Sequence, residues 1–281
     1  MSVTNTFTVT VNESNRPPVL TLPANQTINE LTSLNTNATA TDPDFPANAL
    51  TFALVSGPGG LTVSSSGTIN WTPGEADGPG TNIVFVKVSD SNPSAINANS
   101  LSVTSSFQIV VNERNVAPVP GPIADRTVNP GQMISFTATA TDADLPTNGL
   151  SFSLVNPPVG ATISGGGAFQ WRPSVAQADT TNQVFVRVED NGSPALSGTN
   201  SFMAVVNPLS PVLLTPLSFG GGAFTFQVSG TTGPDYFIMA STNLTDWLDI
   251  GTNLSAVTPF QFNDAAAGTF TNRSYRVRLG P

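Results

Sequence analysis

The chain has 281 residues, no cysteine, no histidine, 18 acidic and nine basic residues, and a formal net charge of -9. Without Cys or His there is no disulfide, no Cys nucleophile, no Ser-His-Asp triad and no zinc site of the usual ligand types. Lys87 and eight scattered arginines argue against nucleic-acid or anionic-membrane partners, and no apolar run is long enough for a membrane span. In chain order, the first element is an alternating run, Asn5-Thr6-Phe7-Thr8-Val9-Thr10-Val11-Asn12-Glu13, which reads as a β-strand. It lacks the basic and apolar regions of a secretory leader, so any export signal is expected outside this chain.

Beyond that run the chain repeats itself at an offset of 100 residues. Thr39-Ala40-Thr41-Asp42 recurs as Thr139-Ala140-Thr141-Asp142, and Val84-Phe85-Val86 as Val184-Phe185-Val186. Trp71 and Pro73 answer to Trp171 and Pro173. The opening run shares the offset, because Phe7, Asn12, Glu13 and Asn15 answer to Phe107, Asn112, Glu113 and Asn115. A unit of about 100 residues is one small domain. Inside each unit, short runs such as Val84–Val88 and Phe107–Val111 alternate faces between Gly, Pro, Asn, Asp and Ser turns. No amphipathic helix of useful length is found. The pattern predicts β-sandwiches with Trp71 and Trp171 in their cores.

From about Pro211 the repeat signature stops. Strands are expected at Val212–Phe219, Ala223–Ser229, Tyr236–Ala240, Trp247–Ile250, Pro259–Asn263 and Tyr275–Leu279, with Gly220-Gly221-Gly222 as a turn. That glycine run lacks the Lys-Ser/Thr of a phosphate loop. The expected fold class is all-β, tandem Ig-like β-sandwiches in a rod. Residues 1–13 are the closing strand of a missing upstream repeat or a donor strand. Residues 14–113 and 114–208 are sandwiches, and 209–281 a third, different one.

Ala-Thr-Asp-x-Asp with Asn48 and Leu50 (Asn148 and Leu150) resembles the Asp-x-Asp segment of cadherin-type repeats. Gly67-Thr68-Ile69-Asn70-Trp71-Thr72-Pro73 is similar to the Trp-Thr-Pro signature of bacterial Ig-like, dystroglycan-type cadherin-like domains. Val188–Pro194 resembles the cadherin segment around its late Asp, and Val111–Pro118 a variant of the cadherin linker. The last segment, through Asp235-Tyr236, Ala240–Trp247 and Tyr275–Pro281, resembles the fibronectin-III-like C-terminal module of large secreted proteins of Verrucomicrobia-type bacteria.

The cadherin resemblance implies calcium between consecutive domains. Carried over residue by residue, the first junction takes Glu30 and Glu75 from the upstream repeat and Glu113 and Asn115 from the linker. Asp142, Asp144 and Asp190 come from the second repeat. Calcium takes roughly 6–8 oxygens, so this set suits it. Glu13, Asn15, Asp42, Asp44 and Asp90 form an upstream half-site. Ordinary turn chemistry is the other reading of these Asp and Asn residues. At the second junction the set disappears together: Glu30 becomes Pro130, Glu75 becomes Val175, and the next linker has no acid.

The expected function is a non-catalytic extracellular or cell-surface module, structural or adhesive, with neighbouring domains or other copies of the same protein as partners. Two alternatives stand beside it. Residues 3–12 of one copy complete the last domain of the next and build a filament, since that domain shows six strands and its Tyr-Arg-Val-Arg resembles a penultimate one. Or the chain is a glycan-binding accessory region, with Trp247 as a sugar platform rather than a packed strand residue. Lys87 lies mid-strand and no acidic pair has a catalytic context, so no enzyme is expected.

Overall fold

A computed structural model of the chain describes residues 1–280. It is all-β, and divides into two compact units: Met1–Asn115 with Ala143–Thr147, and Val116–Asp142 with Asn148–Pro281.

The first unit carries β1 (Val19–Thr21), β2 (Gln26–Asn29), β3 (Leu34–Asn37), β4 (Thr39–Thr41), β5 (Thr51–Ser56), β6 (Thr62–Val63), β7 (Thr68–Trp71), β8 (Gly80–Ser89) and β9 (Ser102–Asn112). One sheet has the order β2-β9-β8-β5, the other β3-β7-β6, and β1 pairs with β4. The alternation seen in sequence sets the core. Val84, Val86 and Val88 of β8 and Phe107, Ile109 and Val111 of β9 all point inward and are buried. Trp71 joins them, and its indole N–H is satisfied by the Gly59 carbonyl at 3.0 Å. The last strand closes the sheet on both sides. β9 runs antiparallel to β8 from Ser102 to Val111 and parallel to β2, with Asn29 opposite Asn112.

The second unit holds two cores. The first is built from β10 (Val119–Pro120), β11 (Arg126–Val128), β12 (Ile134–Thr137), β13 (Ala140–Thr141), β14 (Ser151–Val155), β15 (Thr162–Ile163), β16 (Ala168–Trp171), β17 (Thr180–Glu189) and β18 (Ser197–Val206). Its sheet orders, β11-β18-β17-β14 and β12-β16-β15, repeat those of the first unit. Trp171 is buried and donates to the Val159 carbonyl at 3.0 Å, as Trp71 does twelve residues from its acceptor. In the same core Phe136, Phe169 and Phe202 pack on one another, stacked or edge-on.

The second core uses β19 (Leu213–Gly220), β20 (Ala223–Ser229), β21 (Asp235–Ser241), β22 (Leu248–Asn253), β23 (Phe260–Asp264) and β24 (Ser274–Gly280). Two three-stranded sheets, β19-β20-β23 and β22-β21-β24, pack around Phe226, Val228, Tyr236 and Ile238. The Tyr236 hydroxyl donates to the Thr231 carbonyl at 2.8 Å, so this buried polar tip is satisfied. All six expected strands are present, and Gly221 and Gly222, at φ 61° and 83°, make the expected turn.

Two details differ from expectation. Trp247 lies just before β22 rather than in it, half-buried. The opening run forms no strand. Residues 1–12 are exposed to solvent, and only Glu13 makes a bridge, to Ala95. The alternation is that of a strand, but a strand needs a neighbour for its backbone groups, and none of the described residues pairs with this one.

Candidate metal centres

The strongest cluster of the first unit follows from the β2–β9 ladder. Because these strands are parallel and Asn29 faces Asn112, the next residues along, Glu30 and Glu113, emerge side by side. Glu75 opens a short 3-10 turn, Glu75–Asp77, after Trp71-Thr72-Pro73. Asp77 steadies that turn by accepting from the Gly74 amide at 2.9 Å. The three glutamates offer carboxylate oxygens within 4.8 Å of one another.

Glu30 is fully buried, at 0% exposure. One oxygen, Oε1, accepts from the Arg114 amide at 3.0 Å. The other, Oε2, is buried with no hydrogen-bond donor, as are both oxygens of Glu113. Gly78 roofs this oxygen: a Cβ there would lie 3.1 Å from it and 2.8 Å from Val111 Cγ1. Burial, then the negative charges of Glu30, Asp144 and Glu75, push the Glu113 carboxyl above its ordinary value. Like charges gathered around a fully buried carboxylate are costly unless a cation balances them. The donor set, oxygen only and acidic, suits a hard cation of the calcium type.

The other expected residues divide between the units. Asp144, buried, belongs with the first unit and acts on Glu113 through its charge. Asn115 is half-buried where the first unit ends. Asp142 and Asp190 belong to the second unit. Asp142 follows β13 and is half-buried. Asp190 is buried, and its Oδ1 accepts from the amides of Gly192 and Leu196 at 3.0 and 2.9 Å.

The upstream set is also gathered. Asn15, buried, donates to Asp90 Oδ1 at 3.1 Å, and that oxygen also accepts from the Leu101 amide at 2.7 Å. Asp42 Oδ1 accepts from the amides of Asp44 and Asn48, and Asp44 Oδ2 from the Arg16 amide and the Asn48 side chain. The bonds among Asp42, Asp44 and Asn48 are local turn bonds, whereas Asp90 and Asp44 are also tied to Asn15, Arg16 and Leu101 from distant parts of the chain. The second oxygens of Asp42 and Asp90 are buried and receive no donor. Glu13 is half-buried at the edge of this group, its carbonyl accepting from the Ile96 amide. Sequence reasoning missed Asn97, which exchanges two hydrogen bonds with the Asn15 backbone at 2.8 and 2.9 Å. No periodicity marks it, since it sits in a loop.

Inside the second unit, the pole equivalent to the glutamate cluster is built differently. Pro130, Val175 and Pro208 stand at the positions of Glu30, Glu75 and Glu113. Arg172, at the position of Thr72, donates to Asp235 Oδ1 at 2.7 Å and to the Gly131 carbonyl at 2.6 Å. Asn129 donates to the Thr232 carbonyl at 2.9 Å. Gly131 has φ 78°, and a Cβ on it would lie 2.4 Å from the Gly233 carbonyl oxygen. Burial raises the Asp235 carboxyl, but the Arg172 hydrogen bond, the Ser255 amide and the Arg172 charge outweigh it and hold the group below its ordinary value.

Trp247, the expected sugar platform, donates its indole N–H to the Leu244 carbonyl at 3.1 Å, and the Arg276 guanidinium lies 4.3 Å over its ring.

A family model described as a bacterial Ig domain matches residues 15–104. No curated protein matches the chain. Solved structures it resembles include mouse cadherin-23 EC22-24, at 21% identity and TM-score 0.45, covering 70% of this chain and 67% of that one. Protocadherin γC5 EC1-3 is similar at 16% identity and TM-score 0.41, covering 69% and 68%. The chain also covers 35% of the protocadherin γB4 extracellular domain, at 17% identity, TM-score 0.39 and 69% of its own length. The family match agrees with the Ig-like β-sandwich seen over residues 15–104, whose sheet orders recur in the second repeat. Among the described residues, no helix is long and apolar enough to cross a membrane.

Proposed function

We propose that this chain is a non-catalytic structural or adhesive module of an extracellular bacterial protein, organised by calcium at the glutamate pole of its first repeat. The observation that carries the reading is Glu30. A fully buried carboxylate whose second oxygen has no donor, within 4.8 Å of oxygens of two further glutamates, needs a counter-ion. Glu30, Glu75 and Glu113 are the core ligands of the proposal, with Asp144 adding charge. Asn115 is the remaining oxygen of this unit that the cadherin resemblance implies, and the Asn15, Asp42, Asp44 and Asp90 group, with Glu13, is a second, weaker acceptor. Bound calcium would exchange a soft acidic pole for a stiff one, which is what a spacing or presenting element requires.

The test is thermal melting and calorimetric titration of the intact chain in calcium against chelator, with a Glu30→Gln/Glu113→Gln variant as control. Calcium should raise the melting temperature of the wild type and leave the variant much less changed. No calcium-dependent shift in the wild type would remove the metal from this reading.

A further inference from the structure

Among the described residues, the β19/β24 sandwich is open along one flank. In the repeats, the penultimate strands β8 and β17 are each covered by a closing strand, β9 or β18. β24 holds the corresponding place, beside β21, yet it is the edge of its sheet, and none of the described residues pairs with its outer side. The facing sheet ends in β19 on the same flank. The consequence shows in burial. On β21 the inward residues Tyr236, Ile238 and Ala240 are buried, whereas the inward residues of β24, Tyr275, Val277 and Leu279, are only half-buried. Between the two edges lies a groove of about 360 Å³, lined by Leu214, Pro216, Phe224, Phe226, Arg273 and Tyr275. An apolar groove beside a free β-edge is the receptor half of a strand-addition site.

The donor half is present in the same chain. Phe7, Val9 and Val11 are 87%, 69% and 89% exposed. Their equivalents at an offset of 100, Phe107, Ile109 and Val111, are 4%, 0% and 1% exposed as the inward face of β9. The β18 equivalents, Phe202, Ala204 and Val206, are buried too. The same alternating pattern therefore closes a sandwich twice in this chain, and a third time stands in solvent with its apolar face uncovered.

We infer that residues 3–12 of one copy insert beside β24 of a second copy and close its last sandwich, placing Phe7, Val9 and Val11 over the groove. By analogy with β9 on β8, the inserted strand runs antiparallel to β24. Donor and acceptor are different surfaces, so the contact is head-to-tail, and copies add one after another into a filament or close into a ring. This inference is independent of the calcium reading, because neither half includes a proposed ligand.

Two measurements on the whole chain test it. Sedimentation across a concentration series should show assemblies that grow with concentration for the intact chain, and monomers for a chain lacking residues 1–12. A synthetic peptide of residues 3–13, added to that truncated chain, should bind, protect the amides of Ser274–Gly280 from hydrogen exchange and raise the melting of the last sandwich. A peptide carrying Phe7→Asp and Val9→Asp should do none of these. An intact chain that stays monomeric at the highest soluble concentration, or a truncated chain that ignores the wild-type peptide, overturns the inference. Peptide rescue keeps the test valid even if truncation alone lowers solubility.

Discussion

The two repeats share strand order, core and tryptophan anchor, yet their equivalent poles are built on opposite principles. The first repeat converges Glu30, Glu75 and Glu113, three acids with carboxylate oxygens within 4.8 Å of one another. The second places Pro130, Val175 and Pro208 there and uses one cation, Arg172, to grip Asp235 of the last sandwich. The backbone beneath is conserved in shape. Leu31 and Gly131 both adopt positive φ, 57° and 78°, and both donate to the carbonyl of the Pro after the tryptophan motif, at 2.8 and 2.7 Å. One scaffold thus carries either an acid cup that invites a metal or a neutral seat for direct packing, and the choice lies in a handful of side chains.

The largest expected effect separates the poles by their response to chelator. At calcium a hundred to a thousand times above its dissociation constant, linkage gives about 3–4 kcal/mol. That stabilisation should appear in the first unit and be absent from the second, read as two transitions in calorimetry or by hydrogen exchange of β9 against β18. A second unit that responds equally would erase the contrast.

Next is the ion pair. Arg172→Met leaves a largely buried Asp235 with only the Ser255 amide, and should lower the stability of the second unit by about 2 kcal/mol in calcium and chelator alike. A double-mutant cycle with Asp235→Asn isolates the coupling. Gly131→Ala adds a Cβ against the Gly233 backbone at positive φ, and should cost about 1–3 kcal/mol. Leu31→Gly, at the equivalent bend of the first repeat, relieves φ strain and should change stability by less than about 1 kcal/mol. Denaturant melts of the two variants check this pair.

The smallest effect is set by acid. Asp235 is held below its ordinary value, so its contribution is present above the unfolded carboxylate value and is lost as pH falls through the folded one. In Arg172→Met, burial is opposed only by the Ser255 amide, and protonating Asp235 relieves it. The stability gap between wild type and variant should therefore narrow as pH drops below about 4. A gap that stays constant with pH would deny the pair its electrostatic role.

Much of this was legible in the residues. Alternation in Val84–Val88 and Phe107–Val111 marks inward faces because the pleat has period two, and every marked residue of those faces is buried. The convergence of Glu30, Glu75 and Glu113 was legible through the repeat, since losing the first two together at the equivalent positions links residues far apart in sequence. The Arg172–Asp235 pair was not legible. Its members lie 63 residues apart, Arg172 occupies the variable place of the Trp-x-Pro motif, and Asp235 reads as the start of a strand. That the opening run lacks its own sandwich was legible too, but that residues 1–12 form no strand was not, because periodicity reports a face to be covered and not what covers it.

The closing strand of each repeat has a consequence for synthesis. β9 pairs with β2 across a separation of 83 residues, so the sheet's first strand waits for the last. A repeat emerging from the ribosome holds an unfinished sheet until its final ten or so residues are made, and such non-local closure is intrinsically slow. Truncation inside a repeat should not yield a shorter stable domain. It should yield an open-edged one that aggregates, so proteolytic fragments of this chain that survive are expected to end just after β9 or β18.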